Sequence, residues 1–237
     1  MSSKFSFADS LSLSDLQVFL SRSARIDDGA VRLVADGVVL AAYVAVFHPV
    51  GLLDASPTVL GLRIYALSAP ASFDAVVPLR AMTDRIVRLQ NDSVDATAEV
   101  TVALPPTILS ATWAAISPPR GGWLRRDSID ASVLTSVATR GIDEVAQLVP
   151  EGMGEQLVHR VRTEVWGKSL VGFDDIPAGA AFAALALGFL GEPDAAARAA
   201  PRLAIREVSI FGVGPWIRLS TERGHVLVKR RSASLLG

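Results

Sequence analysis

The sequence contains no cysteine, and this absence excludes several kinds of chemistry. Disulfide bonds, thiolate nucleophiles, and zinc or iron–sulfur centres held by cysteine all require its sulfur atom. The paired-histidine motif of zinc hydrolases is missing as well. We therefore expect neither a metal site nor a cofactor.

Excess charge is also missing. The formal net charge is −1, and only three of the 23 basic residues are lysines. Nucleic acids and anionic membranes attract proteins through a sizeable positive field. This composition argues against nucleic acid and against a membrane as partners, and the preference for arginine over lysine indicates a GC-rich genome.

Long hydrophobic runs are absent too. The most apolar stretches, 37–47 and 177–190, are shorter than the roughly 20 residues that a membrane-spanning helix needs. The N-terminal residues also lack the continuous apolar core of a signal peptide. We therefore predict a cytoplasmic protein.

Hydrophobic residues are nevertheless abundant, at 50% of the chain, and their spacing predicts the elements. A tight hairpin is expected to turn at Asp36–Gly37, where one residue favours a positive φ angle. Apolar residues spaced by three and four predict helices over 12–24, 78–91, 129–149, 153–166 and 178–190. Alternating patterns predict further strands over 58–67, 95–106, 202–212, 215–222 and 225–231.

These elements predict an α+β fold. The mixed or mainly antiparallel sheet is built from N-terminal strands of the β-rich part, 1–110, and from the C-terminal β meander, 202–231. A helical segment over about 127–190 packs on that sheet. Because the sequence shows neither a repeat nor a low-complexity linker, we predict a single domain over 1–237.

The stretch SPPRGGW, residues 117–123, stands where the β-rich part gives way to the helical part. Its prolines stiffen the backbone and its glycines free it. One interpretation is a ligand site in which Arg120 meets an anion beside Trp123. The other, which we favour, is a hinge between the sheet and the helices.

This stretch, followed by VWG at 165–167, resembles conserved actinobacterial proteins of uncharacterised function. The resemblance covers residues 113–167 and implies no activity.

A second candidate site lies on the predicted helix 153–166. His159, Arg162 and Trp166 fall together on the side opposite the apolar stripe formed by residues such as Leu157. They either form a ligand or partner surface, or another segment of the same domain covers Trp166. The candidate ligand-binding residues are therefore Arg120, Trp123, His159, Arg162 and Trp166.

Three functions follow, in the order in which the sequence favours them. The first is a non-catalytic binding, interaction or regulatory protein that self-associates through exposed strand edges. The second is an enzyme acting on a small anionic metabolite in a pocket of Arg120 and Trp123; the sequence leaves open whether the protein is an enzyme. The third is nucleic-acid binding by the basic C-terminal hairpin, which carries Arg218, Arg223, Lys229, Arg230 and Arg231.

Overall fold

The computed structural model describes residues 3–51, 54, 56–92, 97–115, 117–150, 152–191 and 206–230. Helices and antiparallel sheets both contribute strongly, which confirms the predicted α+β fold. The elements are β1 (Lys4–Phe7), α1 (Ser10–Ala24), β2 (Ala30–Phe47), β3 (Thr58–Pro78), α2 (Leu79–Asp92), β4 (Val100–Ala103), a 3-10 turn (Thr112–Ala114), β5 (Leu124–Asp130), α3 (Ala131–Leu148), α4 (Glu155–Gly167), β6 (Ser169–Leu170), β7 (Phe173–Pro177), α5 (Ala178–Ala186), β8 (Glu207–Val213), β9 (Trp216–Thr221) and β10 (Gly224–Lys229).

The chain divides into two compact units. Unit 1 comprises Met1–Val46 and Leu62–Ser117, and unit 2 comprises Phe47–Gly61 and Pro118–Gly237. The single domain expected over 1–237 stays a prediction.

Unit 1 contains a helix pair beside short and long strands. Strands β1 and β4 pair antiparallel, with Lys4 opposite Ala103. Helices α1 and α2 pack against each other, and the Gln90 side-chain amide donates a hydrogen bond of 3.1 Å to the Ser14 hydroxyl. The apolar faces of the two helices are buried, and their polar faces, which are exposed, are called the helical surface of unit 1.

Strand β2 corrects the predicted hairpin at Asp36–Gly37. The chain continues as one strand through this pair, although Gly37 has a φ angle of +61°. The buried positions are odd-numbered from Val31 to Ala35 and even-numbered from Leu40 to Val44, after which the last residues of the strand are buried on both faces. Gly37 therefore accommodates a shift in the inward-facing alternation, as a β-bulge does, and not a turn.

An arginine fixes the segment that precedes SPPRGGW to unit 1. The Arg32 guanidinium donates to the Asp74 carboxylate at 2.6 and 2.8 Å, to the Ala114 carbonyl at 2.8 Å and to the Ser117 hydroxyl at 2.8 Å. The hydrogen bond with Asp74 is the main cause of the raised pKa of Arg32. The end of this connection is therefore an ordered part of unit 1.

Unit 2 is built on an antiparallel sheet in the order β10-β9-β8-β5, and β3, whose first residues belong to this unit, is the neighbour of β10. Strands β8 to β10 form the predicted C-terminal meander, whose proposed ends at 202–205 and at 231 lie outside the described residues. Cross-strand partners place Arg125, Phe211, Arg218 and Leu227 in one row on the same sheet face.

Among the described residues of unit 2 there are three α-helices. Helix α5, which is apolar on all sides, is buried as predicted. Helix α3 passes through Gly141 without a break, and Asp130 caps its start by accepting a hydrogen bond of 2.7 Å from the Ser132 amide. The predicted helical segment 127–190 therefore begins with the end of β5, and it also includes the β6–β7 hairpin.

Among the described residues, no helix is both long enough and apolar enough to cross a membrane. The cytoplasmic location stays a prediction.

Candidate functional site

Within SPPRGGW, residues 119–123 form a closed loop that belongs to unit 2. The Trp123 indole N–H donates a hydrogen bond of 3.0 Å to the Pro119 carbonyl, and Gly122 adopts a φ angle of +77° that favours glycine. Arg120 lies inside this loop and is exposed to solvent, while Trp123 is half-buried. The structure therefore brings Arg120 and Trp123 into one ordered loop at the edge of the sheet.

The Trp123 ring covers a cation of strand β9. The Arg218 guanidinium carbon lies 4.6 Å from the Trp123 ring centroid and 4.7 Å from the Phe211 centroid. These distances are within the range of cation–π attraction. The three side chains, Trp123, Arg218 and Phe211, are called the aromatic–arginine stack below.

Burial of Arg218 has two electrostatic consequences. Burial lowers the pKa of Arg218, because removing a charge from water disfavours the charged form. The Nε atom is buried and has no hydrogen-bond partner among the described residues. In the part of the chain that the structure describes, no carboxylate forms an ion pair with Arg218. There, contact with the two aromatic rings is what offsets the cost of burying its charge.

His225 lies beside this arginine. Burial, and secondly the charge of Arg218, lower the pKa of His225 to about 4. Its Nδ1 atom lies 3.0 Å from the Ser220 hydroxyl oxygen. His225 is therefore neutral near pH 7, and it adds no positive charge to this sheet face.

The candidate residues of helix α4 are separated by their environments. The His159 Nε2 atom lies 3.1 Å from an Asp54 carboxylate oxygen. Trp166 is 3% exposed and stacks on Phe182 with ring centroids 4.5 Å apart. Arg162 is half-buried. Trp166 thus faces the core of unit 2, while His159 contacts the segment between β2 and β3.

Asp54 organises that segment. Its carboxylate accepts hydrogen bonds from the Val50 amide at 3.0 Å and from the Ser56 amide at 2.9 Å and hydroxyl at 2.5 Å. Burial alone would raise the pKa of Asp54, but these bonds and the contact with His159 outweigh it and hold that pKa well below its usual range. A carboxylate bonded in this way stabilises a loop and is a poor general base at neutral pH.

The structure corrects the apolar stripe assigned to helix α4. Leu157, expected in the core, is 51% exposed, whereas Trp166 on the expected polar side is buried. The reason is that α3 and α5 pack on the side of α4 that carries Trp166. Periodicity identifies the helix, but the neighbouring helices determine which side is buried.

The helical surface of unit 1 carries a charged strip that the sequence reading did not single out. Arg80, Asp84 and Arg88 are exposed and follow one another at spacings of four along α2, with Arg85 half-buried beside them. Arg22 lies in the last turn of the adjacent helix α1. The spacing of four was the available signal, because it places these residues on one helix side.

A polar cavity of about 340 Å³ lies between β5 and the β6–β7 hairpin. Asp175, which lines it, accepts a hydrogen bond of 2.6 Å from Arg126 and lies 3.5 Å from the Arg230 guanidinium. Among the described residues, no group of three or more His, Asp and Glu side chains could hold a metal ion.

The chain matches two family models of unassigned activity. Residues 1–105 match a domain of unknown function (DUF8010), and residues 118–233 match a second domain of unknown function (DUF8185). No curated protein matches the chain. These matches confirm the predicted likeness to uncharacterised proteins, while an actinobacterial origin stays a prediction.

Solved structures similar to the chain include bacterial sliding clamps. A DnaN sliding clamp (DNA polymerase III subunit beta) from Bartonella birtlesii, bound to griselimycin, superimposes with a TM-score of 0.50 at 12% identity. A putative DNA polymerase III beta subunit from Eubacterium rectale gives a TM-score of 0.50 at 9% identity. In both cases the match covers 99% of this chain and 66% of the other, so the chain spans less than two thirds of those proteins' length.

The clamp likeness overturns the predicted functions. The predicted non-catalytic binding, interaction or regulatory protein is contradicted, and so is the alternative of an enzyme acting on a small anionic metabolite. The proteins that share this fold are by name a DNA polymerase III sliding clamp and a putative DNA polymerase III beta subunit. The order that placed nucleic acid last rested on the net charge of −1. A net charge is a sum over the whole surface, and it does not describe the charge on one helix face.

Two basic residues of the C-terminal hairpin make contacts within the chain. Arg218 lies in the aromatic–arginine stack, and Arg230 pairs with Asp175. Arg231 lies outside the described residues. A ligand role for Arg120, Trp123, His159, Arg162 and Trp166 stays a prediction.

Proposed function

We propose that this chain is a clamp-type protein that associates with DNA by closing around the duplex and moving along it. The observation that carries the proposal is the fold match along 99% of the chain to proteins that are sliding clamps by name. Retention by closure needs little direct affinity, so it is compatible with a protein whose net charge is −1.

The helical surface of unit 1 supports this proposal. An exposed strip of Arg80 and Arg88, with Arg22 on the neighbouring helix, provides positive charge for contacts with phosphates. Asp84 lies within the strip and limits its net charge. Such a surface fits weak contacts that slide along a phosphate backbone better than tight, base-specific binding.

Closure around DNA would require more than one copy. The chain spans 66% of the length of the clamp chains that it matches. Strand β5 pairs with β8 on one side and has no strand partner on the other among the described residues. We propose that copies associate through exposed edges of this kind, because an unpaired strand edge offers backbone donors and acceptors.

Light scattering tests the assembly. The expected result is a stable species of two or more copies at micromolar concentration. A monomer at every concentration tested would overturn the proposed closure.

Retention on DNA tests the association itself. The protein is mixed with nicked circular plasmid or with the same plasmid after linearisation, at a protein concentration too low for the copies to associate. It is then concentrated, and gel filtration follows in 0.3 M salt. We expect retention on the circle and loss from the linear form, since a closed ring leaves only at an end. Equal retention on both forms at all salt concentrations would contradict closure.

A further inference from the structure

We infer that the aromatic–arginine stack of unit 2 binds a phosphate group of single-stranded nucleic acid. This inference rests on the proposed association with DNA, but it concerns a different surface from the helices of unit 1. The site comprises Arg218 between Trp123 and Phe211, with Arg120 in the loop that carries Trp123.

The first argument is the unbalanced charge of Arg218. Burial lowers the pKa of this guanidinium, its Nε atom has no hydrogen-bond partner, and no carboxylate pairs with it in the described part of the chain. Nearby charges of the opposite sign usually accompany a partly buried cation. Arg218 is only partly buried, and an anion bound to its guanidinium would supply that missing charge.

The second argument is the combination of residue types on this sheet face. Arg125 lies opposite Phe211, and Lys229 is on the same face as Leu227, the cross-strand partner of Arg218. Arg125 forms an ion pair of 3.5 Å with Glu207, and its side chain is 59% exposed. His225 is neutral near pH 7, so its side chain adds no charge that would attract or repel a nucleic-acid strand. Cations interleaved with aromatic rings on an exposed sheet are typical of proteins that bind single strands.

The third argument distinguishes a strand from a free anion. Trp123 is only half-buried, and Gly121, two residues before it, is exposed with no atom within 4 Å of the position that a Cβ would take. A base next to the bound phosphate could therefore approach this loop. Inorganic phosphate would use only the guanidinium, whereas a strand would also contact the indole. Stacking on an aromatic ring adds about 1–3 kcal/mol per base by alanine substitution in other proteins.

Fluorescence anisotropy with a labelled oligothymidylate of about 20 nucleotides tests the inference at 50 mM salt. Arg218→Gln should weaken binding of the oligonucleotide roughly tenfold, because it removes one charged hydrogen-bonding group. It should also reduce the slope of log affinity against log salt by about 0.7. Arg140→Gln on α3 is the matched control, because it removes the same charge from an exposed position of unit 2; we expect less than a twofold change.

Arg120→Gln provides a second variant at an exposed loop position that does not depend on refolding the stack. It should weaken binding about threefold, a smaller effect than that of Arg218→Gln because Arg120 is more exposed. Equal losses for the Arg140 and Arg218 variants, or no binding of the oligonucleotide by the unmodified protein, would overturn the inference.

Tryptophan emission reports the site directly. Trp113, Trp166 and Trp216 are buried, so quenching by the oligonucleotide should come from Trp123 and disappear in Trp123→Phe. Quenching that persists in this variant would contradict stacking at the loop.

Two competitors identify the ligand class. Inorganic phosphate at millimolar concentration should displace the strand only weakly at constant ionic strength; complete displacement would point to a site for free phosphate. Displacement by polyglutamate that is as strong as displacement by unlabelled strand would indicate an acidic protein partner and overturn the inference.

Retention of Arg218→Gln on circular plasmid separates this inference from the proposed clamp function. Normal retention with weakened single-strand binding supports both. Loss of duplex retention together with unchanged single-strand binding would contradict the assignment of this site.

Discussion

The packing of Trp166 against Gly141 leads to a quantitative prediction for Gly141→Ala. An alanine Cβ at this position would overlap the van der Waals surface of the Trp166 indole, because it would lie 2.7 Å from the Cη2 atom and 3.2 Å from Cε3. The indole has little freedom to move away, because it stacks on Phe182 with an interplanar angle of 20°. Overpacking of a well-packed core costs about 1–3 kcal/mol.

Helix propensity acts in the opposite direction. Alanine is favoured over glycine within a helix by about 0.8–1.0 kcal/mol. Because a Cβ 2.7 Å from a ring atom is a severe clash, we take the overpacking cost in the upper part of its range, about 2–3 kcal/mol. After the gain in helix propensity, we expect Gly141→Ala to reduce the free energy of unfolding by about 1–2 kcal/mol and to lower Tm by roughly 4 °C. Circular dichroism during thermal and urea unfolding measures both quantities.

Two controls isolate the steric cause. Gly167→Ala, at the end of α4, adds the same methyl group where no atom lies within 4 Å, so it should leave the stability unchanged or slightly raised. In a Trp166→Phe background, where the ring is smaller, Gly141→Ala should cost less than half as much. A Gly141→Ala protein as stable as the unmodified one, or an equal cost in both backgrounds, would refute this reasoning.

Three further predictions concern charge and cooperativity. Because the pKa of His225 is lowered to about 4 in the folded protein, the unfolded state protonates this side chain at a higher pH than the folded state does. The free energy of unfolding should therefore fall by about 2 kcal/mol between pH 6.5 and about 4. Urea unfolding should show a flatter pH dependence for His225→Gln, and identical profiles of the two proteins would exclude this cause. Arg32→Ala should destabilise the protein by about 2 kcal/mol in the same assay, since the Arg32 side chain is largely buried while that of its partner Asp74 is half-exposed. Asp36→Ala, at an exposed position of the same strand, is the control. Equal losses of stability in the Arg32 and Asp36 variants would contradict the argument. Calorimetry should show one transition with equal calorimetric and van't Hoff enthalpies if 1–237 is a single domain, whereas two separated transitions would show that the units unfold independently.

The sequence predicted more about elements than about their partners. Helix α2 and the C-terminal meander follow from spacing alone, because apolar residues must face a core at the period of the element that carries them. The Asp36–Gly37 pair shows where this reasoning ends. The same residues fit a two-residue turn and an irregular position inside a long strand, and pairing with β3 decides between them.

The candidate site shows the same division. Residue types in SPPRGGW indicated either a hinge or a ligand site with Arg120 and Trp123, and the structure shows a loop that is ordered by an indole hydrogen bond and a left-handed glycine. Its contact with Arg218 joins residues almost a hundred positions apart. Neither periodicity nor local composition carries information about such a contact.

By itself, the sequence determined the chemistry that the protein lacks, the α+β class and the positions of most helices, since composition and periodicity are properties of the chain. Only the tertiary structure decided that Trp166 belongs to the core, that Gly141 is required by that ring, and that Arg218 lies between two aromatic side chains. Only the assembled fold also matched that of the sliding clamps, at 9% and 12% identity. The physical reason is that many sequences satisfy the same pattern of buried and exposed positions, so a fold can persist after residue identities have diverged.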